Sequence, residues 1–216
     1  LRKIEKKRYC LWLRNAPLKL WSSNSEVKRR IEAVREFRAK STAAPTREKA
    51  KVPTEFFSNP QKDRAFLVIP RVSSENREYI PMGFMPKEVI ASDSVSIVAD
   101  ADNFAFGILS SRLHMIWMRL VGGRLKSDYR YSGTVFNSFV WPSVGAKDKA
   151  RIEQTAEKIL EARANHSDCE LKELYNISTM PSDLRKAHED NDKAVAAAYG
   201  FENDWSEEKT AEKLLL

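Results

Sequence analysis

Cysteine is scarce. Only Cys10 and Cys169 occur in 216 residues, too few and too far apart for a disulfide framework, so reduced thiols are expected. The three histidines and two cysteines form no His or Cys pair at metal-ligand spacing, which gives no metal site. Glycine is also low, at seven residues, and none builds a Gly-rich phosphate loop, a Gly-x-Gly nucleotide motif or a nucleophile elbow. No apolar run approaches the roughly 18 residues of a membrane span. The basic start, LRKIEKKRYCLWL, lacks a signal-peptide cleavage pattern. A cytoplasmic chain without membrane contact is expected, and its first residue, Leu rather than Met, points to a piece of a longer polypeptide.

Reactive groups are equally hard to find. Asn59-Pro60 continues with Gln61 and so lacks the aromatic that an adenine-methylating Asn-Pro-Pro-Tyr loop uses to hold a flipped base. Asp168, Glu170 and Lys172 match a metal nuclease triad superficially, but SDCELKELY reads better as a short helix capped by Ser or Asp. No catalytic residue, metal ligand or cofactor site is therefore assigned to this chain.

Basic charge is what the chain does have, and it is unevenly spread. Residues 147–216 carry 11 Lys and Arg against 16 Asp and Glu, a net −5, which leaves 26 against 14, or +12, on residues 1–146. A segment this basic is a candidate for nucleic acid.

Patterning divides the chain at the same place. RYCLWL (residues 8–13) reads as a buried strand stopped near Asn15 and Pro17. Residues 22–40 read as a polar helix with a stripe of Val27, Ile31, Val34 and Phe37. A Pro- and Lys-rich connection follows over residues 41–62. AFLVIP (65–70), REYIPMGFM with a turn at 81–83, and SVSIVAD (94–100) are strands. Residues 103–120 are apolar around most of the circumference and form a buried helix, capped by Asp102 or Asn103 and ended at Gly122 or Gly123, with His114 as a core or edge histidine. TVFNSFVWP is a further strand or turn. Helices then cover residues 146–164, 181–199 and 204–216, the last with Trp205 near its entry. The expected architecture is α+β: a mixed-sheet domain with a buried central helix over residues 1–145, then a small all-α domain over residues 146–216.

GRLKSDYRYS (123–132) puts charge where a strand would expose it. Every second residue gives Arg124, Lys126, Asp128, Arg130 and Ser132 on one face, and Leu125, Ser127, Tyr129 and Tyr131 on the other. Guanine presents O6 and N7 acceptors to Lys or Arg in the major groove, and its cytosine presents an N4 donor to Asp, so Lys126 and Asp128 suit one G·C pair. A surface ladder of salt bridges, at about 0–1 kcal/mol per pair, accounts for the same pattern.

The chain resembles the C-terminal part of MmeI-like type II restriction-modification enzymes, in which an endonuclease, an adenine methyltransferase and a target recognition domain share one polypeptide. The resemblance spans nearly the whole chain. RYCLWL, IPRVSSENREYIPMGF, VIASDS, FGILSSRLHMIWMR, GRLKSDYRYS, NSFVWP and LYNISTMPSDLRKAH carry it. Val140 departs from it, standing where the family commonly has Pro before Trp-Pro. The resemblance implies a target recognition domain followed by a C-terminal helical domain, with double-stranded DNA and the methyltransferase domain of the same polypeptide as partners. S-adenosylmethionine, and Mg for the nuclease, are expected in the full-length enzyme and not in this segment. It also implies base-reading roles for Lys126 with Asp128 and for Arg71 with Asp93, and a third position at Ser94 with Arg130. Lys28, Arg29, Arg30, Arg112, Arg119 and Arg124 are candidates for phosphate positioning, and Tyr129 and Tyr131 are expected to face the core. The competing class is a docking module of the same enzyme, whose basic face meets an acidic protein domain and has no DNA affinity of its own.

Overall fold

A computed structural model describes residues 9–58, 63–201 and 206–215. The chain divides into two compact units, residues 1–60 and 61–216.

The first unit is built on α2 (Ser25–Ala39), preceded by α1 (Leu18–Trp21) and followed by α3 (Ala44–Glu48) and a 3-10 turn at Lys49–Lys51. Asn24 caps α2 by accepting from the Val27 amide at 3.1 Å. Of the expected apolar stripe only Ile31 is buried, while Phe37 is 77% exposed. Arg38 takes the inward position instead. Its guanidinium donates to the carbonyls of Lys49, Val52 and Glu55 at 3.0, 3.1 and 2.7 Å, which orders the connection after α2 through side chain-to-backbone bonds. The strand expected over residues 8–13 is not formed by residues 9–13, and Arg8 lies outside the described residues. Tyr9 is 89% exposed, Trp12 stacks on Phe56, and no described strand pairs with this stretch, so its apolar composition has no sheet to join.

Among its described residues the second unit holds six strands. β1 (Phe66–Pro70) lies between β3 (Gly83–Met85) and β4 (Val95–Ala99), and β6 (Asp128–Arg130) lies between β2 (Val72–Ser73) and β5 (Gly123–Leu125). Where one mixed sheet was expected, there are two small sheets, antiparallel at every described pairing. The chain leaves the first sheet at Pro70 and enters the second at Val72, and this single step divides them.

The buried helix is two helices, α4 (Asn103–Leu109) and α5 (Arg112–Val121). Asp102 caps α4 by accepting from the Ala105 amide at 2.8 Å, and Ser111 caps α5 by accepting from the His114 amide at 3.2 Å. The Ser110-Ser111 pair breaks the run because a serine hydroxyl competes for backbone donors. TVFNSFVWP contributes a short helix, α6 (Gly133–Asn137), rather than a strand. The tail is helical as expected: α7 (Ala146–Ala164), α8 (Leu171–Leu174), α9 (Ser182–Ala198) and α10 (Glu207–Leu215). Trp205 lies outside the described residues. Glu170, not Ser or Asp, caps α8 in a reciprocal pair with Glu173, and it holds Lys172 at 2.7 Å, so these two members of the apparent nuclease triad serve a helix start.

The tail helices share a core with the sheets. Gly107 of α4 lies against Ile152 and Ala156 of α7 and Asn191 of α9, and the buried Asn191 amide donates to the Gly107 carbonyl at 2.8 Å while Thr155 donates to its oxygen at 3.0 Å. Arg163 of α7 donates to the Met82 carbonyl at 2.6 Å. Asp192 of α9 accepts from the Tyr79 hydroxyl at 2.8 Å and from the Arg112 amide, at the start of α5, at 2.7 Å.

Three buried titratable groups here act against one another. Burial pushes Asp192 up to about 6, pulls His114 down to about 3, and, with the Arg163 charge, pulls His188 well below the usual histidine value. The Asp192 contribution is present below its unfolded pKa and is lost as pH rises through about 6. The histidines contribute above about 6.5 and lose that contribution as pH falls. Acidification from about pH 6 to 4 therefore removes two contributions and restores one. Asp192→Asn is expected to steepen the acid-side loss of stability in this window by up to about 1.4 kcal/mol per pH unit. Urea midpoints across the window measure it, and a slope equal to the parent's would mean that Asp192 titrates normally.

Candidate nucleic-acid interface

Segment 71–75 organises the candidate residues. Arg71 is the step between the two sheets: its amide donates to the Ser94 carbonyl and its carbonyl accepts from the Tyr131 amide, both at 2.9 Å. β2 then pairs Val72 with Arg130 and Ser73 with Tyr129, and the Glu75 amide reaches Asp128 Oδ1 at 3.4 Å. Residues from two distant stretches of sequence, 93–94 and 128–131, thus meet along the five consecutive residues 71–75. At one end the Arg71 guanidinium donates to the Asp93 carboxylate at 2.6 Å and to its carbonyl at 2.9 Å. The Asp93 side chain is fully exposed. An ion pair open to water stabilises by only about 0–1 kcal/mol, so both partners can be given up to other groups at small cost. Beside it the Ser94 and Ser92 hydroxyls meet at 2.5 Å.

At the other end is a hairpin. GRLKSDYRYS does not run as one strand: Leu125 pairs with Asp128, which makes Lys126 and Ser127 a two-residue turn, and Lys126 takes a φ of 59°. No glycine or asparagine marks the turn, so the alternating pattern reads straight through it. Lys126 stands exposed at the apex and Asp128 is half-buried at the start of β6. Alternation holds within β6: Arg130 is exposed, while Tyr129 and Tyr131 face the core at 6% and 2% exposure. The Tyr131 hydroxyl and His114 Nε2 share a hydrogen bond of 3.0 Å. His114 is thus a core histidine that anchors the strand carrying the candidate readers.

The six residues expected to position phosphates have different surroundings. Lys28, Arg29 and Arg30 lie on α2, in the first unit, where the Glu26 carboxylate holds both arginines at 2.8 Å; these bonds draw Glu26 down to about 2. Arg119 forms a two-pronged bond to Glu207 at 2.6 and 3.2 Å and ties α5 to α10. Arg112 is exposed at the first turn of α5. Arg124 turns back on its own hairpin, donating to the Ser127 carbonyl at 2.7 Å. Glu75, adjacent to both Asp128 and Arg124, lies within IPRVSSENREYIPMGF, but no periodicity singles it out there as a site residue; only the fold brings it here. Among the described residues no cluster of three or more His, Cys, Asp or Glu could hold a metal, and no helix is long and apolar enough to cross a membrane.

Comparison with known proteins gives two family matches that meet end to end, the MmeI target recognition domain over residues 4–143 and the MmeI C-terminal domain over residues 144–216. The chain is 41% identical, over 209 residues, to DNA methyltransferase A of Bacillus subtilis (strain 168), which covers 96% of this chain and 24% of that protein. It is also similar to the type IIL restriction-modification enzyme MmeI, solved in complex with DNA, with a TM-score of 0.89 at 43% identity over 96% of this chain and 29% of that one. The chain spans 24% and 29% of the length of these two relatives.

Proposed function

The chain belongs to the MmeI family, as its target recognition domain and C-terminal domain, and from that premise we propose that it reads double-stranded DNA sequence for a restriction-modification adenine-N6 methyltransferase. Two cation-carboxylate pairs carry this reading: Arg71 and Asp93 meet at one end of segment 71–75, and Lys126 and Asp128 stand on the hairpin whose Asp128 carboxylate accepts from the Glu75 amide at the other. Each pair offers donors to guanine O6 and N7 and an acceptor to cytosine N4, so each reads a G·C pair in the major groove. Arg130 and Ser94 form the third reading position: the Arg71 backbone joins the Ser94 carbonyl to Tyr131, the residue after Arg130.

Lys28 and Arg112, both exposed, are assigned to phosphates, which fix register without encoding sequence. The chain itself catalyses nothing on this reading. The methyl donor, S-adenosylmethionine, and the Mg of the nuclease belong to other domains of the same polypeptide, and the enzyme works in the cytoplasm, where it meets cellular DNA. Competition binding by the full-length enzyme tests the assignment, using duplexes with its site altered at one base pair at a time. Affinity is expected to fall about 5- to 100-fold at two separate G·C positions, the size of a lost two-pronged contact. Equal affinity for every duplex would favour the protein-docking module.

A further inference from the structure

Arg124 and Glu75 have contacts that a phosphate role does not require. The Arg124 guanidinium donates to the Ser127 carbonyl, inside the turn, at 2.7 Å. It lies 3.6 Å from the Glu75 carboxylate, and its central carbon stands 4.2 Å above the ring of the buried Tyr129. One planar cation therefore joins the turn, the ring beneath it and the neighbouring segment 71–75. Glu75 closes the arrangement from the other side, since its amide reaches the Asp128 carboxylate. The residue this clamp surrounds needs it: Lys126 holds a φ of 59° with a full side chain, a conformation that persists only where the surroundings impose it.

We infer that Arg124 and Glu75 are positioning residues for specificity, which set where Lys126 and Asp128 stand and so govern discrimination at the one base pair those two read. The inference rests on the reading role assigned above to Lys126 and Asp128. Discrimination between base pairs depends on two hydrogen bonds meeting two fixed atoms, so it is lost when the turn loosens even if the charge at its tip remains. A carboxylate beside the guanidinium also opposes the approach of a phosphate. Lysine cannot replace arginine here, because it has neither the fork nor the flat face that reach the carbonyl and the ring together.

The test uses the full-length enzyme with Arg124→Lys, Arg124→Gln and Glu75→Gln, scored by methylation-site mapping, by the salt dependence of DNA binding and by melting temperature. Discrimination at the base pair read by Lys126 and Asp128 is expected to fall about tenfold in both Arg124 variants and roughly threefold in Glu75→Gln. The base pair read by Arg71 and Asp93 keeps its selectivity, and the salt slope stays at the parent value. A salt slope lowered by about one in Arg124→Gln, with affinity weakened alike on all sequences, would make Arg124 a phosphate contact and overturn the inference. So would unchanged discrimination in all three variants. If the Arg124 variants do not fold, the exposed Glu75→Gln decides alone by the same criterion. Failure of the reading role itself has a separate signature, an unchanged site after Lys126 and Asp128 are exchanged in charge.

Discussion

Methylation-site mapping of a full-length enzyme carrying Lys126→Glu together with Asp128→Arg is expected to return a site in which one G·C pair has become C·G and every other position is unchanged. The exchange moves the donor from the turn apex to the first residue of β6 and the acceptor the other way, so the pattern presented to the groove is reversed. Loss of the old pair and gain of the new one each amount to about 1–3 kcal/mol, so preference at that position shifts by at least about thirtyfold. Backbone strain does not confound the result. Lysine and glutamate are both unbranched at Cβ and meet the same penalty at a φ of 59°. The Asp128 contact given up, to the Glu75 amide, is long at 3.4 Å and weak. Lys126→Glu alone leaves two carboxylates facing the groove with no donor for guanine, and methylation at the parent site should be lost. A folded, active double variant that still modifies the parent site would return these charges to a surface ladder.

Gly107→Val should lower the melting temperature of the protein by about 6–12 °C. A side chain there begins with a Cβ 2.7 Å from Ile152 Cγ2, 3.0 Å from Asn191 Oδ1 and 3.2 Å from Ala156 Cβ, all held in buried helix faces with no flexible end to move aside. Overpacking of this kind costs about 3 kcal/mol, and each kcal/mol lowers the melting point of a unit this size by about 2–4 °C. Forcing α4 away from α9 also loosens the Asn191 bond to the Gly107 carbonyl. Gly107→Ala should cost less, because alanine's helix propensity returns about 1 kcal/mol of the strain. The consequence reaches function through the next helix: α4 runs by way of Ser110 and Ser111 into α5, whose His114 holds Tyr131. The valine variant should therefore lose site selectivity on warming before the parent does. An unchanged melting point would mean that α4, α7 and α9 do not share this contact, and that the tail folds apart from the recognition sheets.

The sequence by itself determined what depends on a few neighbouring residues. Asn24 and Asp102 start their helices, β1 and β4 lie in the expected runs, and Tyr129 and Tyr131 face inward because side chains alternate along a strand. The chemistry of the candidate readers was legible too, since a cation and a carboxylate suit the two halves of a G·C pair wherever they stand. The tertiary structure decided where they stand. The bend at Lys126 and Ser127 carries no turn residue, and the break between α4 and α5 is only a pair of serines in an otherwise apolar run. Arg119 and Arg124, indistinguishable from phosphate contacts as letters, are engaged by Glu207 and by the Ser127 carbonyl. The meeting of Ser94, Arg71 and Tyr131, and of α9 with α4, joins residues tens of positions apart. Local propensity acts over about one helical turn or one strand, and such bonds form only when burial brings distant segments within reach of each other.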